Sequence, residues 1–457
     1  MHIFIYIFIG KVQIYVKIIL EKYMLFRKIE KKLNEYYKDK DSRILIIDGA
    51  RQVGKSFIIR ETAKRAFKNY IEIDLKADSE SKKLFNNVND IDEFYLVLSS
   101  EYGYKLNNNE DTIIFLDEIE TYPKLITLLK QLKKDNKYRY IASGSLLGIT
   151  LKHIFIPMGS IEEVKLYPLD FEEFLLATGC NEDVIEYLRD CFINHKEIYD
   201  GVHTDILSKF KEYLICGGLP AAVNEYIKTK NVYKVRKIQE EIFTYYKDDA
   251  SQYDDNHKLQ IRTVYDYMSS YMDNKVKRIQ YKKISPYKRA SLFKYMDEFD
   301  YLLSSGIAIG SKAVSNPKFP LMESTSKNLI KLYYNDVGIL SNILFQNNIK
   351  TILKEDNATN LGSLYETASA LELISHNHDI FYFDSKKVGE VDFLINNNGK
   401  LLAIEIKSGK NINNFRAIPK LVKEPYSIEN GYIFSNQKEI KTKDKLTYFP
   451  IYMIMFV

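Results

Sequence analysis

The residues Gly49-Ala50-Arg51-Gln52-Val53-Gly54-Lys55-Ser56 have the types and spacing of a phosphate-binding loop. Gly49 and Gly54 let the backbone wrap closely, so that loop N–H groups face phosphate oxygens. Lys55 adds a point charge for the β- and γ-phosphates, and the Ser56 hydroxyl suits Mg2+. Hydrolysis of a triphosphate needs carboxylates as well. Asp117 and Glu118 follow the apolar run Ile113-Ile114-Phe115-Leu116. Asp117 would hold Mg2+, directly or through water, and Glu118 would orient and deprotonate the attacking water. Ser143 and Ser145 close a third apolar run, where hydroxyls could sense a γ-phosphate or simply end a strand. ATP and Mg2+ are therefore the expected ligands.

A second group of chemistry-bearing residues lies between Gly362 and Gly409. Val391, Phe393 and Ile395 alternate along a strand that carries Asp392, and Leu401 to Lys407 supplies a partner strand after a turn. A period of two puts Glu405 and Lys407 on one face, and Glu366 falls on the helical stretch Leu364 to Ser375. An Asp, then Glu-x-Lys across a hairpin, with a helix Glu upstream, resembles the restriction-endonuclease-like PD-(D/E)xK arrangement. That resemblance implies a divalent metal held by Asp392 and Glu405, with Lys407 positioning a water beside it. Cross-strand charge pairing on a sheet surface is the alternative reading.

The elements that must position these groups follow from hydrophobic period. Ile44 to Ile47 reads as a buried strand before the loop, and Phe57 to Lys68 as the helix after it. Tyr70 to Leu75, Thr112 to Leu116 and Tyr138 to Ala142 are further strands. Between them lie the helices Ile91 to Glu101, capped by Asp90, and one opened by Pro123. Strands alternating with helices predict a parallel, doubly wound α/β sheet, with ligands at the carboxyl ends of its strands. From Pro168 the pattern turns helical, with Leu169 to Ala177, Ile185 to Ile193 and Ile206 to Ile215. Between Asp273 and Lys294, Lys275, Lys277, Arg278, Lys282 and Lys283 interleave with Tyr281 and Tyr287. Such a run suits a phosphate backbone or a solvated helical face.

Composition narrows the class. At 457 residues, two or three domains are expected, and 46% apolar content is ample for their cores. A net charge of +5 is too small to argue for nucleic acid by itself. Three scattered cysteines make no CxxC pair, which points to a reducing, cytoplasmic setting without a disulfide framework. His376 and His378 are expected on a solvated surface. The apolar stretch Met1 to Leu20 is interrupted by Lys11, Gln13 and Lys17, so no integral membrane span is expected. Translation is expected to start at Met24, with 1–23 an artefactual or disordered extension and a peripheral anchor as the alternative.

Several segments together resemble one family. GARQVGKS (Gly49 to Ser56), IIFLDEIE (Ile113 to Glu120), SGSLLGI (Ser143 to Ile149) and LYPLDFEEFL (Leu166 to Leu175) carry the first half. YLICGGLPAAV (Tyr213 to Val223), NDVGIL (Asn335 to Leu340), GEVDFLI (Gly389 to Ile395) and EIKSG (Glu405 to Gly409) carry the second. The chain is similar to bacterial and archaeal AAA-type P-loop ATPases with an uncharacterised, nuclease-like C-terminal domain. The resemblance implies an ATPase domain over 24–165, a helical or winged-helix-like region over 166–330 and a restriction-endonuclease-like domain over 331–457. It also implies ATP-site roles for Lys55, Ser56, Asp117 and Glu118, and supplies no substrate. The expected function is a Mg2+-dependent ATPase whose nucleotide state repositions the C-terminal domain toward a DNA or protein partner, with a homo-oligomer as one arrangement. Many relatives carry a Gly-Arg pair ahead of the LYPL-type motif, whereas here Ser160 follows Gly159.

Overall fold

The computed structural model describes residues 25–39, 41–106, 111–145, 147–150, 159–253, 258–272, 296–354, 361–409, 416–423, 425–426 and 428–457. The extension 1–23 and the basic run 275–294 lie outside the described residues.

Strands β1 (Ile44–Asp48), β2 (Asn69–Asp74), β3 (Thr112–Asp117), β4 (Arg139–Gly144) and β5 (Ile161–Lys165) form a sheet of order β2-β3-β4-β1-β5. Every pairing in it is parallel. All five residues of β1 and all six of β3 are buried, as expected when helices cover both faces. Leu45, Ile47, Ile113 and Phe115 face one core, and Ile44, Ile46, Ile114 and Leu116 face the other. Helices α1 (Ile29–Lys38) and α2 (Lys55–Ala66) pack on the first of these. Helices α3 (Ile91–Tyr102) and α4 (Pro123–Asp135) pack on the second. Asp90 caps α3 by accepting from the N–H of Glu93 at 2.9 Å, and Pro123 opens α4.

The middle of the chain is helical. It runs through α5 (Phe171–Ala177), α6 (Glu182–Asn194), α7 (Asp200–Cys216), α8 (Pro220–Thr229), α9 (Val232–Tyr253), α10 (Lys258–Met272) and α11 (Met296–Ser304). Beyond it comes an α/β region with a second, mixed sheet. Its strands are β6 (Ala308–Val314), β7 (Thr325–Tyr334), β8 (Phe381–Ser385), β9 (Gly389–Asn397), β10 (Lys400–Ile406), β11 (Asn430–Ser435), β12 (Lys441–Lys443) and β13 (Leu446–Pro450). Their order is β12-β13-β11-β10-β9-β8-β6-β7. A boundary at residue 331 would pass through β7, because β6 and β7 join this sheet through β8. Helices α12 (Val337–Phe345) and α13 (Gly362–Ser375) complete the region. Phe171 and Phe210 of the middle and Tyr365 of α13 share one aromatic cluster, so the core runs unbroken between these parts. Among the described residues, no helix is long and apolar enough to cross a membrane.

Candidate functional site

The phosphate-binding loop joins β1 to α2. The Leu166 N–H donates to the Asp48 carbonyl at 2.7 Å, which brings the segment after β5 against the loop. Gly49 is required there, because a Cβ at this position would lie 2.2 Å from the Leu166 carbonyl oxygen. Gly54 sits at φ 94° as the N-cap of α2, a conformation that an L side chain resists. The Lys55 ammonium donates to the carbonyls of Gly49 at 2.7 Å and Ala50 at 2.9 Å, inside the loop's own curl. Burial pulls its pKa down, opposed by Glu118, Glu120 and Asp48.

Parallel register brings the carboxylates to the same end. Asp74 pairs with Asp117 across β2 and β3, and Asp48 pairs with Gly144 across β1 and β4. Ser56 Oγ donates to Asp117 Oδ1 at 3.0 Å, and Ser143 Oγ donates to the same oxygen. Burial raises the Asp117 pKa, against these two hydroxyls. Hydroxyl and carboxylate oxygens so arranged are hard ligands of the kind Mg2+ takes. Glu118, just past the strand, is held in the left-handed region at φ 55° and ψ 51°. A non-glycine residue there stores backbone strain, a feature that clusters at functional sites. Its Oε2 accepts from Ser145 Oγ at 3.1 Å and from Arg51 Nη2 at 3.5 Å. A cavity of about 630 Å³ opens over the loop, lined by Arg27, Arg51, Lys55, Asp117, Glu118 and Pro220 among others.

Residues 41–175 match the model of an AAA domain. That match, on the same stretch that carries the loop and the paired carboxylates, supports ATP binding and hydrolysis. Residues 207–357 and 361–454 match two domains of unknown function, DUF8612 and DUF4143. Among solved structures, the Walker-type ATPase PABY2304 of Pyrococcus abyssi is 15% identical, with a TM-score of 0.41 over 72% of this chain and 96% of that one. The RuvB Holliday junction branch migration motor of Thermotoga maritima is 14% identical, with a TM-score of 0.30 over 64% and 90%. The Hsp104–ADP complex of S. cerevisiae is 12% identical, with a TM-score of 0.27 over 77% and 43%. Comparison with curated proteins gives no match.

Three residues around the AAA domain's loop escaped the sequence reading. Glu120 accepts from the Ser145 N–H at 2.9 Å and from its hydroxyl at 2.8 Å. Burial, then the Glu118 charge, push its pKa up to about 7. Tyr245 and Asp249 of α9 both bind the Arg51 guanidinium, the former at 2.9 Å. Glu120 sits inside the quoted IIFLDEIE segment, whereas no local pattern marks Tyr245 or Asp249.

The C-terminal carboxylates also come near one another. Ile404 pairs with Phe393 across β10 and β9, so Asp392 and Glu405 follow at the next position. The Ile406 N–H donates to Asp392 Oδ2 at 2.8 Å, and Lys407 Nζ donates to Glu405 Oε1 at 2.6 Å. Lys331 of β7, absent from the sequence reading, is buried here and pairs with Glu390 at 2.5 Å and Glu366 at 3.9 Å. Glu405 Oε2 is buried without a hydrogen-bond donor, and burial beside Asp392 pushes the Glu405 pKa up to about 8.

Asp170, Glu372 and His376 are the one His and carboxylate group among the described residues whose ligand atoms all lie within 4.8 Å. His376 is not the solvated surface residue its neighbours suggested. Its Nε2 lies 3.7 Å from Asp170 Oδ2, and Nδ1 lies 3.1 Å from the Val457 carbonyl oxygen. The charge that answers this cluster is already present, since Lys28 Nζ sits 2.7 Å from the same Asp170 oxygen.

Proposed function

We propose that this protein binds ATP with Mg2+ at the AAA domain, hydrolyses it to ADP and phosphate, and uses the nucleotide state to control a nuclease-like C-terminal domain. The observation that carries the reading is the meeting of Lys55, Ser56, Asp117 and Glu118 at the carboxyl ends of parallel strands. Ser56 and Asp117 would hold Mg2+, which supplies electrostatic screening of the phosphates when bound. Lys55 would exchange its loop carbonyls for β- and γ-phosphate oxygens. Glu118 would take a proton as the water oxygen bonds to the γ-phosphorus. The bond to the bridging oxygen breaks, and its electron pair leaves with ADP. Leu25 and Pro220, on the same cavity wall, offer apolar surface to the base.

Control of the C-terminal region is supported by a run of buried polar contacts. Arg27 Nη1 donates to the Val53 carbonyl of the loop at 2.9 Å, and its Nε lies 3.1 Å from Glu173 of α5. Asp170, the N-cap of α5, meets Lys28 and His376, and Glu372 accepts from the Phe171 N–H at 2.7 Å. Glu372 and Glu366 lie on the same helix, α13. A shift of the loop would thus reach the helix that carries a carboxylate of the second cluster.

The second reading is an ATP-regulated, metal-dependent nuclease using Glu366, Asp392, Glu405 and Lys407. It is favoured by the buried, donor-free Oε2 of Glu405, which a divalent cation would satisfy. A slow nucleotide-gated switch acting on DNA or a protein is the third. A cytoplasmic homo-oligomer is the setting we infer for all three.

Phosphate release by the full chain, compared with Lys55→Ala and Glu118→Gln, tests the first reading. Lys55→Ala should lose ATP binding, and Glu118→Gln should bind ATP while turnover drops about 10²-fold or more. Turnover that survives in Glu118→Gln would overturn it. Nicking of DNA with Mg2+, abolished in Asp392→Ala, would instead support the second.

A further inference from the structure

Arg51 lies within the phosphate-binding loop, yet its side chain is engaged by groups from three other parts of the chain. Nε donates to Ser145 Oγ at 3.2 Å, after β4. Nη2 donates to Glu118 Oε2 at 3.5 Å, after β3. Nη1 donates to the Tyr245 hydroxyl at 2.9 Å and to Asp249, both on α9. The guanidinium carbon also stands 5.9 Å from the centre of the Tyr245 ring. The backbone is held from the same helix, because the Tyr246 hydroxyl donates to the Arg51 carbonyl at 2.7 Å.

This geometry has a chemical consequence. Glu118 is the carboxylate we assign to activate water, so a cation bonded to it stands beside the path of the transferring phosphoryl group. Arg51 lines the cavity over the loop together with Lys55 and Glu118. A planar guanidinium offers several donors in one plane, which suits phosphoryl oxygens better than a lone ammonium does. Its present acceptors, Asp249 and Glu118, are anions that a triphosphate would replace.

Building on the ATPase reading, we propose that Arg51 is a catalytic cation for phosphoryl transfer, and that Asp249 of α9 holds it away from the nucleotide until ATP arrives. The helical region thereby acts directly on hydrolysis, since α9 must release the guanidinium before it can reach the γ-phosphate. As water bonds to phosphorus and the bridging oxygen departs with its electron pair, Arg51 stabilises charge on the equatorial oxygens. The proton goes to Glu118, and Arg51 stays protonated throughout.

The test uses the full chain with Mg2+ and compares wild type, Arg51→Gln and Asp249→Asn. Equilibrium binding of a fluorescent ATP analogue and single-turnover phosphate release are the readouts. Arg51→Gln should lower the hydrolysis rate by about 10³-fold while the analogue Kd shifts only a few-fold. Asp249→Asn removes the competing anion and should tighten binding several-fold. An Arg51→Gln rate equal to wild type, or a loss confined to binding, overturns the proposal. If Arg51→Gln does not fold, Asp249→Asn decides alone, and unchanged or weaker binding overturns it. A wild type that binds ATP but never hydrolyses it defeats the ATPase reading itself and the proposal with it. Wild-type turnover that Arg51→Gln leaves unchanged defeats the proposal only.

Discussion

Glu372 of α13 accepts a hydrogen bond at 2.7 Å from the backbone N–H of Phe171, the first residue of α5, across 201 positions of sequence. The contact joins the end of the AAA match to the C-terminal region. It does so with a carboxyl buried completely, whose pKa burial pushes up to about 8.

Stability should therefore fall as pH rises. Glu372 and Glu405 both titrate near 8 in the folded protein, above their usual carboxylate range, so the folded state holds more protons than the unfolded one between about 4.5 and 8. His376, raised by its Asp170 and Glu372 neighbours against burial, works in the same direction, its contribution fading as pH passes its folded pKa. Thermal midpoints measured from pH 5 to 8.5 should decline, and Glu372→Gln should flatten the slope. A midpoint that rises steadily over this range contradicts the assignment.

Arg27 should matter to the nucleotide site as well as to the fold. It donates to the carbonyls of Val53 at 2.9 Å and Tyr167 at 2.6 Å, and is paired with a buried Glu173. Arg27→Met leaves that carboxylate without its partner, at a cost of about 3 kcal/mol or more. Denaturant unfolding should report the loss, and ATP binding should weaken because the loop carbonyl at Val53 is no longer held.

Gly49→Ala should be poorly tolerated. The added methyl would overlap the Leu166 carbonyl, at 2.2 Å, and because that neighbour is backbone the clash is costly to relieve. Overpacking of this kind costs about 1–3 kcal/mol. Calorimetry should show a lower melting temperature, and a variant as stable as wild type would mean that the segment after β5 is free to shift.

Lys331→Met tests the second cluster. Its ammonium is buried and stands 2.5 Å from Glu390, with Glu366 at 3.9 Å. Removing it takes a cation from beside the buried Glu366 carboxyl, and about 3 kcal/mol of stability should be lost. Glu390→Gln should cost less, because Glu390 retains 32% side-chain exposure and water can compensate. Equal losses in urea denaturation would argue against a Lys331-centred network.

The loop chemistry was legible because it is local. A glycine at each bend stands beside a lysine and a serine at the helix start, and two acids adjoin each other after a buried strand, so short-range spacing suffices to propose their roles. The parallel sheet was legible for the same reason, since each strand–helix alternation repeats within tens of residues. Asp392, Glu405 and Lys407 could be read together because one hairpin joins them. Lys331 could not, because β7 reaches the cluster only through the folding of a mixed sheet.

What only the tertiary structure decided are contacts between distant segments: Asp249 on Arg51, Glu372 on Phe171, and β6 and β7 joining the C-terminal sheet. No residue pattern predicts such pairings, because the partners lie in separate elements whose periodicity reports burial and says nothing of what lies opposite. The sequence by itself determined a nucleotide-binding loop and its carboxylates. Packing decided which helix grips that loop, since burial of apolar faces brings α9 against it and leaves charged side chains no escape but to pair.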